Sequence, residues 1–150
     1  MTLPERIRRD MTDAMRARDT ETVATLRLAL AAIQTLKVAE GHSGEVTDAE
    51  TVDLLTREAK RRVEAADTYA AGGRGELAAK ERRELAILRR YLPEELDADA
   101  LAAIVDEAIA ETGASGPGDL GRVMSAVMPK VKGRADGRQV NALVRRRLSP

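Results

Sequence analysis

The sequence contains no cysteine, no phenylalanine and no tryptophan, only two tyrosines (Tyr69 and Tyr91) and a single histidine, His42. Without cysteine there is no disulfide framework, no thiolate metal site and no cysteine nucleophile. Strand-rich proteins place aromatic rings on their pleated faces, so their near absence counts against a β fold. Single-stranded nucleic acid is commonly held by stacking on aromatic rings, and two tyrosines leave little for that mode. No apolar run approaches the roughly 20 residues needed to cross a bilayer. The opening residues Met1-Thr2-Leu3-Pro4-Glu5-Arg6 have no basic stretch followed by an apolar one, so no signal peptide is expected and the expected location is cytoplasmic.

What the chain does have is Ala, Leu, Arg and Glu in abundance, with 43% of its 150 residues hydrophobic and 33% charged. That mixture belongs to packed helices. A core without large rings must be filled by Leu, Ile, Val, Met and Ala, which suits helices whose axes approach closely. The net charge of zero conceals a segregation. Leu92 to Asp119 carries eight acids and no Lys or Arg, whereas Leu120 to Pro150 carries eight bases against one acid, Asp136. A basic end of this kind either attracts a polyanion at long range or packs beside the acidic helix before it.

Hydrophobic spacing predicts seven helices. Leu3, Ile7, Met11 and Met15 line one face of a first helix opening at Pro4. A second, following Asp19 or Thr20, carries Val23, Leu26, Leu30 and Ile33, widened by Leu28 and Leu36, and ends near Glu40-Gly41. Thr47-Asp48-Ala49-Glu50 is a capping box that opens a third, whose stripe of Val52, Leu55, Ala59, Val63, Ala66 and Ala70 reaches Gly72-Gly73. A fourth runs from about Glu76 to Tyr91 with Leu77, Leu85, Leu88 and Leu92 inward. Its doublets Arg82-Arg83 and Arg89-Arg90, seven residues apart, share an outer face and read as solvated charge.

Pro93 disfavours helical geometry at Leu92 and marks a domain boundary. Asp97 caps a fifth helix with Leu101, Ile104, Val105, Ala108 and Ile109 inward. Pro117 is placed as the first residue of a sixth, with Leu120, Val123, Met124, Val127 and Met128 facing the core and Pro129 ending or kinking it. A seventh begins at Asp136, with Gln139 completing a second capping box and Val140, Leu143, Val144 and Leu148 inward. The expected architecture is therefore all-α: a four-helix bundle-like unit over residues 1–92 and a smaller three-helix unit over residues 93–150, joined by short loops.

Few motifs carry chemistry. Gly116-Pro117-Gly118-Asp119-Leu120-Gly121 matches G-x-G-x-x-G by letters, but that fingerprint requires a preceding strand, and a helix precedes it here. Gly121, with Ser125 four residues on, forms a small strip that would admit a neighbouring helix or a nucleic-acid backbone, with Arg122 beside it. Lys130-Val131-Lys132-Gly133-Arg134-Ala135-Asp136-Gly137-Arg138 alternates bases with glycines ahead of a helix N-terminus. It reads either as an anion-binding segment or as a basic loop whose Asp136 serves as a cap. Arg145-Arg146-Arg147 either extends a basic surface or complements the last-turn carbonyls. His42 has no second ligand near it in sequence, so neither a metal site nor a Ser–His–Asp set is expected. No Walker loop is present, and the paired carboxylates read as exposed. Neither catalytic residues nor a cofactor are expected.

Three ordered blocks carry a family resemblance. Glu81-Arg82-Arg83-Glu84-Leu85-Ala86-Ile87-Leu88 with Tyr91-Leu92-Pro93-Glu94-Glu95-Leu96, then Thr112-Gly113-Ala114 with Asp119-Leu120-Gly121-Arg122-Val123-Met124, then Lys132-Gly133-Arg134-Ala135-Asp136-Gly137 with Val140-Asn141 together resemble the GatB/YqeY family from about Leu3 to Leu148. Leu120 stands where Met is common and Arg122 where Lys is common, so the basic character is kept. The resemblance implies an N-terminal helical bundle and a three-helix C-terminal unit. It also implies a relation to the tail of the B subunit of the tRNA-dependent amidotransferase, a module also appended to some glutaminyl-tRNA synthetases and associated with tRNA binding. Carried over, Gly121, Arg122, Lys130, Lys132, Gly133, Arg134, Asp136 and Asn141 are the candidate tRNA-facing positions. The basic surface adds Arg138, Arg145 and Arg146.

The expected function is thus a stand-alone tRNA-binding accessory module linked to an amidotransferase or an aminoacyl-tRNA synthetase, meeting folded RNA through its backbone and shape. A protein-interaction adaptor without RNA binding is the alternative. Carbon–nitrogen ligation with glutamine as amide donor would need partner subunits, since this chain has no residues for the reaction.

Overall fold

The computed structural model describes the whole chain, Met1–Pro150, as seven α-helices and no strand. The chain divides into two compact units, Met1–Leu92 and Pro93–Pro150. Each has its own apolar core.

In the N-terminal unit, α1 (Leu3–Arg16) and α2 (Thr20–Lys37) pack on each other, as do α3 (Asp48–Ala71) and α4 (Gly75–Arg89). α1 begins one residue before Pro4 because Thr2 and Glu5 form a reciprocal capping box, a local signal that the Pro4 reading passed over. Thr47 and Glu50 form the capping box expected at the start of α3. The turn into α2 places Arg18 at φ 58, a left-handed conformation that non-glycine residues rarely adopt. The turn between α3 and α4 uses Gly73 at φ 76. Ile7, Leu26, Ala29, Ile33, Val46, Leu55, Ile87, Leu88 and Tyr91 form the core.

Three residues expected inside are outside: Met15 is 53%, Leu28 62% and Leu77 40% exposed. Met15 lies in the last turn of α1 and Leu77 in the first turn of α4. Leu28 sits two residues from Leu26, off the buried line of Thr22, Leu26, Ala29 and Ile33. Ala70 is likewise exposed at the end of α3. α2 stops at Lys37, short of Glu40-Gly41.

The C-terminal unit consists of α5 (Ala98–Thr112), a 3-10 turn (Pro117–Asp119), α6 (Leu120–Val131) and α7 (Gly137–Leu148). Its core is dominated by valine: Val105, Val123, Val127, Val131, Val140 and Val144 are all fully buried. The three α6 valines recur every four residues and the two α7 valines continue that spacing, so each helix offers one narrow apolar line. Pro117 opens the 3-10 turn rather than α6 itself. Pro129 lies inside α6, which continues to Val131; the bond lost at Pro129 is confined to the last turn. Asp136 caps α7 by accepting from the Arg138 backbone N–H at 2.9 Å, but Gln139 makes no reciprocal bond, so the second capping box does not form.

Candidate nucleic-acid interface

α7 has the sequence GRQVNALVRRRL, with four arginines and no acid. Val140, Val144 and Leu148 are buried on one side. The opposite side carries Arg138, Ala142, Arg145 and Arg146, all exposed, with Asn141 half-buried at its edge. Arg138 and Arg145 are seven residues apart, about 10 Å along the axis. Arg145 donates from Nε to the Asn141 side-chain oxygen at 2.7 Å, which orients its guanidinium along the helix. The guanidinium groups of Arg138 and Arg146 have no protein partner.

The remaining sequence candidates sort to the two ends of this helix. At the C-terminal end, Arg145, Leu148 and Ser149 line a shallow depression with Pro117 and Leu120. That places Gly121 and Arg122, at the start of α6, on the same end of the unit. Gly121 is exposed, and a Cβ built on it meets nothing within 4 Å, so no neighbouring helix uses the small strip at Gly121 and Ser125. Arg122 is held by Asp119 at 2.9 Å. The same Asp119 carboxylate accepts the backbone N–H groups of Ser115 at 2.9 Å and Gly116 at 3.3 Å. The Ser115 amide, joined by those of Gly116 and by Arg122, holds the Asp119 carboxyl below its ordinary range. The Gly116–Gly121 segment is therefore a turn organised by one carboxylate, with α5 before it and α6 after it.

At the N-terminal end lie Lys130, Lys132, Gly133, Arg134, Asp136 and Arg138. Lys130 pairs with Glu111 of α5 at 3.5 Å. Arg134 is half-buried, donates from Nε to the Glu94 carbonyl at 3.1 Å, and its own carbonyl accepts from the Leu96 N–H at 2.9 Å. It ties the entering strand of chain to the α6–α7 loop. Gly133 has φ 76, which only glycine adopts without strain, and this turn aims Arg134 at Glu94. Lys132 is exposed. Asp136 is a cap, and its carboxylate occupies the α7 N-terminus where an anion was one of two readings. Arg147 pairs with Asp106 of α5 at 2.9 Å.

The acidic helix α5 thus takes up part of the basic charge that follows it, through Asp106 and Glu111. These pairs are exposed and worth little each, at most about 1 kcal/mol. Charge segregation left two readings open, and Lys130 and Arg147 follow the one in which the basic end packs beside the acidic helix before it. Their partners lie on that helix, and no local spacing says which of its acids each base meets.

His42 of the N-terminal unit does find a partner that lies beyond its own loop: its Nε2 is 2.7 Å from the Glu50 carboxylate. No group of three or more His, Asp or Glu side chains is placed to hold a metal ion.

A family model described as Yqey-like protein matches residues 4–148. The chain belongs to the Yqey-like protein family. The match runs through both units, including every candidate position above. No curated protein matches the chain. No helix is long and apolar enough to cross a membrane.

Proposed function

We propose that this Yqey-like chain is an RNA-binding accessory module whose C-terminal unit meets the phosphate backbone of a folded RNA, tRNA first among them, through the outer face of α7. The observation that carries this reading is the acid-free exposed face of Arg138, Arg145 and Arg146, with two guanidinium groups that no protein group engages. Guanidinium forks suit phosphate oxygens, which they bind bidentately. Contacts of this kind fix position and supply affinity without reading sequence. The absence of aromatic residues from the unit favours a structured RNA over a single strand. The resemblance to the amidotransferase B-subunit tail is what singles out tRNA, and with it a cytoplasmic partner in amidotransfer or aminoacylation.

The test is binding of the full chain to bulk tRNA across a salt series, with single-stranded RNA of equal length as control. The expected result is preference for tRNA and a linear fall of log affinity with log salt. The triple substitution Arg138→Gln, Arg145→Gln, Arg146→Gln should make that slope shallower by about three. No binding at low salt, or a triple variant indistinguishable from the parent, overturns the reading. The adaptor reading rests on the exposed Leu28 (62%) and Val38 (70%) of the N-terminal unit, and salt-insensitive association with a synthetase or amidotransferase in the absence of RNA would favour it.

A further inference from the structure

The N-terminal unit has a charge arrangement that the proposed function does not use. α4 carries both signs in its sequence, GELAAKERRELAILR, yet the structure separates them by face. Glu81 and Glu84 turn toward α3, where Arg62 engages both. These three side chains are 22%, 13% and 12% exposed. Lys80 approaches Glu84 as well, at 3.9 Å. With Glu81 and Glu84 withdrawn and Glu76 the one exposed acid, in the first turn, the opposite face of α4 carries Ala79, Arg82, Ala86 and Arg89 in one line at helical spacing, and Arg83 and Arg90 beside it. Arg82, Arg83, Ala86, Arg89 and Arg90 are all exposed.

The neighbouring elements neutralise this face only in part, and Arg89 has a polar partner of its own. Glu21 of α2 accepts from Nε of Arg83 at 2.9 Å, while Arg83 stays 58% exposed. Asp19, the cap of α2, lies within electrostatic reach of Arg90. At the helix end, Arg6 donates to the Arg90 carbonyl at 3.0 Å and lies over the Tyr91 ring, adding a further cation. No acid stands on the outer line from Leu77 to Leu92, and alanines separate its arginines.

We infer that the outer face of α4 is a second polyanion-binding surface, one that takes the phosphate backbone of a structured RNA. Forked guanidinium groups spaced about 10 Å apart along the axis, with alanines between them, let a phosphate backbone approach closely. An anionic membrane is the less fitting partner, because this face has no large apolar side chain to insert and the chain has no Phe or Trp. The surface belongs to the N-terminal unit and does not depend on α7.

The experiment uses the full chain with Arg82→Gln and Arg89→Gln combined. The control is a charge-matched pair on α3, Arg57→Gln with Lys60→Gln, and helical content is checked for each. Binding to tRNA and to a blunt RNA duplex is measured across salt, and vesicles rich in phosphatidylserine are titrated in parallel. The α4 pair should weaken RNA binding about tenfold at low salt and make the salt slope shallower by about two, with the α3 pair near the parent. Equal losses from the α3 and α4 pairs, or RNA binding that only the α7 triple variant reduces, overturn this inference and leave the proposed function standing. Loss from the α4 pair alone, with the α7 triple variant at parental affinity, supports this inference and removes the α7 reading. Vesicle binding in the absence of RNA binding overturns both.

Discussion

The N-terminal unit keeps polar groups inside. Thr22, Thr25 and Thr51 are buried, Arg62 sits between Glu81 and Glu84, and the Tyr91 hydroxyl donates to Asp10 at 2.7 Å from a ring only 5% exposed. The core of the C-terminal unit contains no polar side chain, and the ion pairs Arg122–Asp119, Lys130–Glu111 and Arg147–Asp106 lie at its surface. The difference follows from helix length and composition. α3 has 24 residues and packs along α4, too far for the central core to cover. Small Ala59, Ala66 and Ala78 and the Arg62 cluster fill that stretch. A directional polar contact fixes which residues of the two helices meet, where a row of alanines would permit sliding. The C-terminal helices of 15, 12 and 12 residues are short enough for interlocking valines to set their register.

The comparison is most directly broken at Arg62. Arg62→Ala leaves Glu84 largely buried without its main counter-charge and should cost about 3 to 4 kcal/mol. Both tyrosines lie in this unit, so urea unfolding followed by tyrosine fluorescence reads the loss. An effect under about 1 kcal/mol would show that the cluster does not hold the hairpin. The apolar counterpart is Leu101→Ala in the C-terminal core, where a side chain 2% exposed leaves a cavity costing about 3 kcal/mol. Helical circular dichroism is the readout there, since the unit has no aromatic residue.

Smaller changes sharpen the contrast. Tyr91→Phe deletes one hydrogen bond to a charged group and should cost about 1 to 2 kcal/mol in thermal unfolding, with no effect expected if Asp10 is satisfied by Arg9 alone. Thr25 is 1% exposed and its hydroxyl has no partner. Thr25→Val keeps the shape, removes the orphaned oxygen, and should raise stability by about 1 kcal/mol.

Acid should separate the units as well. In the N-terminal unit, bonds from Thr22 to Asp19, from Lys37 to Glu45 and from His42 to Glu50 hold these carboxyls below their ordinary range. Burial raises the Asp10 carboxyl, but Tyr91 and Arg9 outweigh it and the net direction is down. The C-terminal unit has one such group, Asp119. A carboxyl with a lowered folded value adds stability that is present above its ordinary value, 3.8 for Asp and 4.5 for Glu, and lost as pH falls through the folded value. Between pH 5 and about 3 the tyrosine-reported transition should therefore weaken more than the Leu101-dependent one. The opposite order would count against these four carboxyls as a source of the N-terminal unit's stability.

Much of the fold is legible in the chain because its signals are local. Thr47 and Glu50, Asp97 and the Ala100 amide, Pro93 after Leu92, and the valines of α6 all act within one or two turns, so spacing alone announces them. Leu28, Met15 and Leu77 show where such reasoning stops, since periodicity names a face without saying whether another helix covers it. The candidate site is less legible for the same reason. The run of bases from Arg122 to Arg147 is plain in the sequence, as is its place on α6 and α7. Long-range packing is what brings Asp106 to Arg147 across 41 residues, commits Arg134 to the Glu94 carbonyl, and lets Arg62 draw Glu81 and Glu84 inward. Capping and helical periodicity arise between near neighbours along the backbone, so the helices and their apolar lines follow from residue order alone. The availability of a charge depends on what the fold brings within hydrogen-bond reach, and that was settled only when the helices packed.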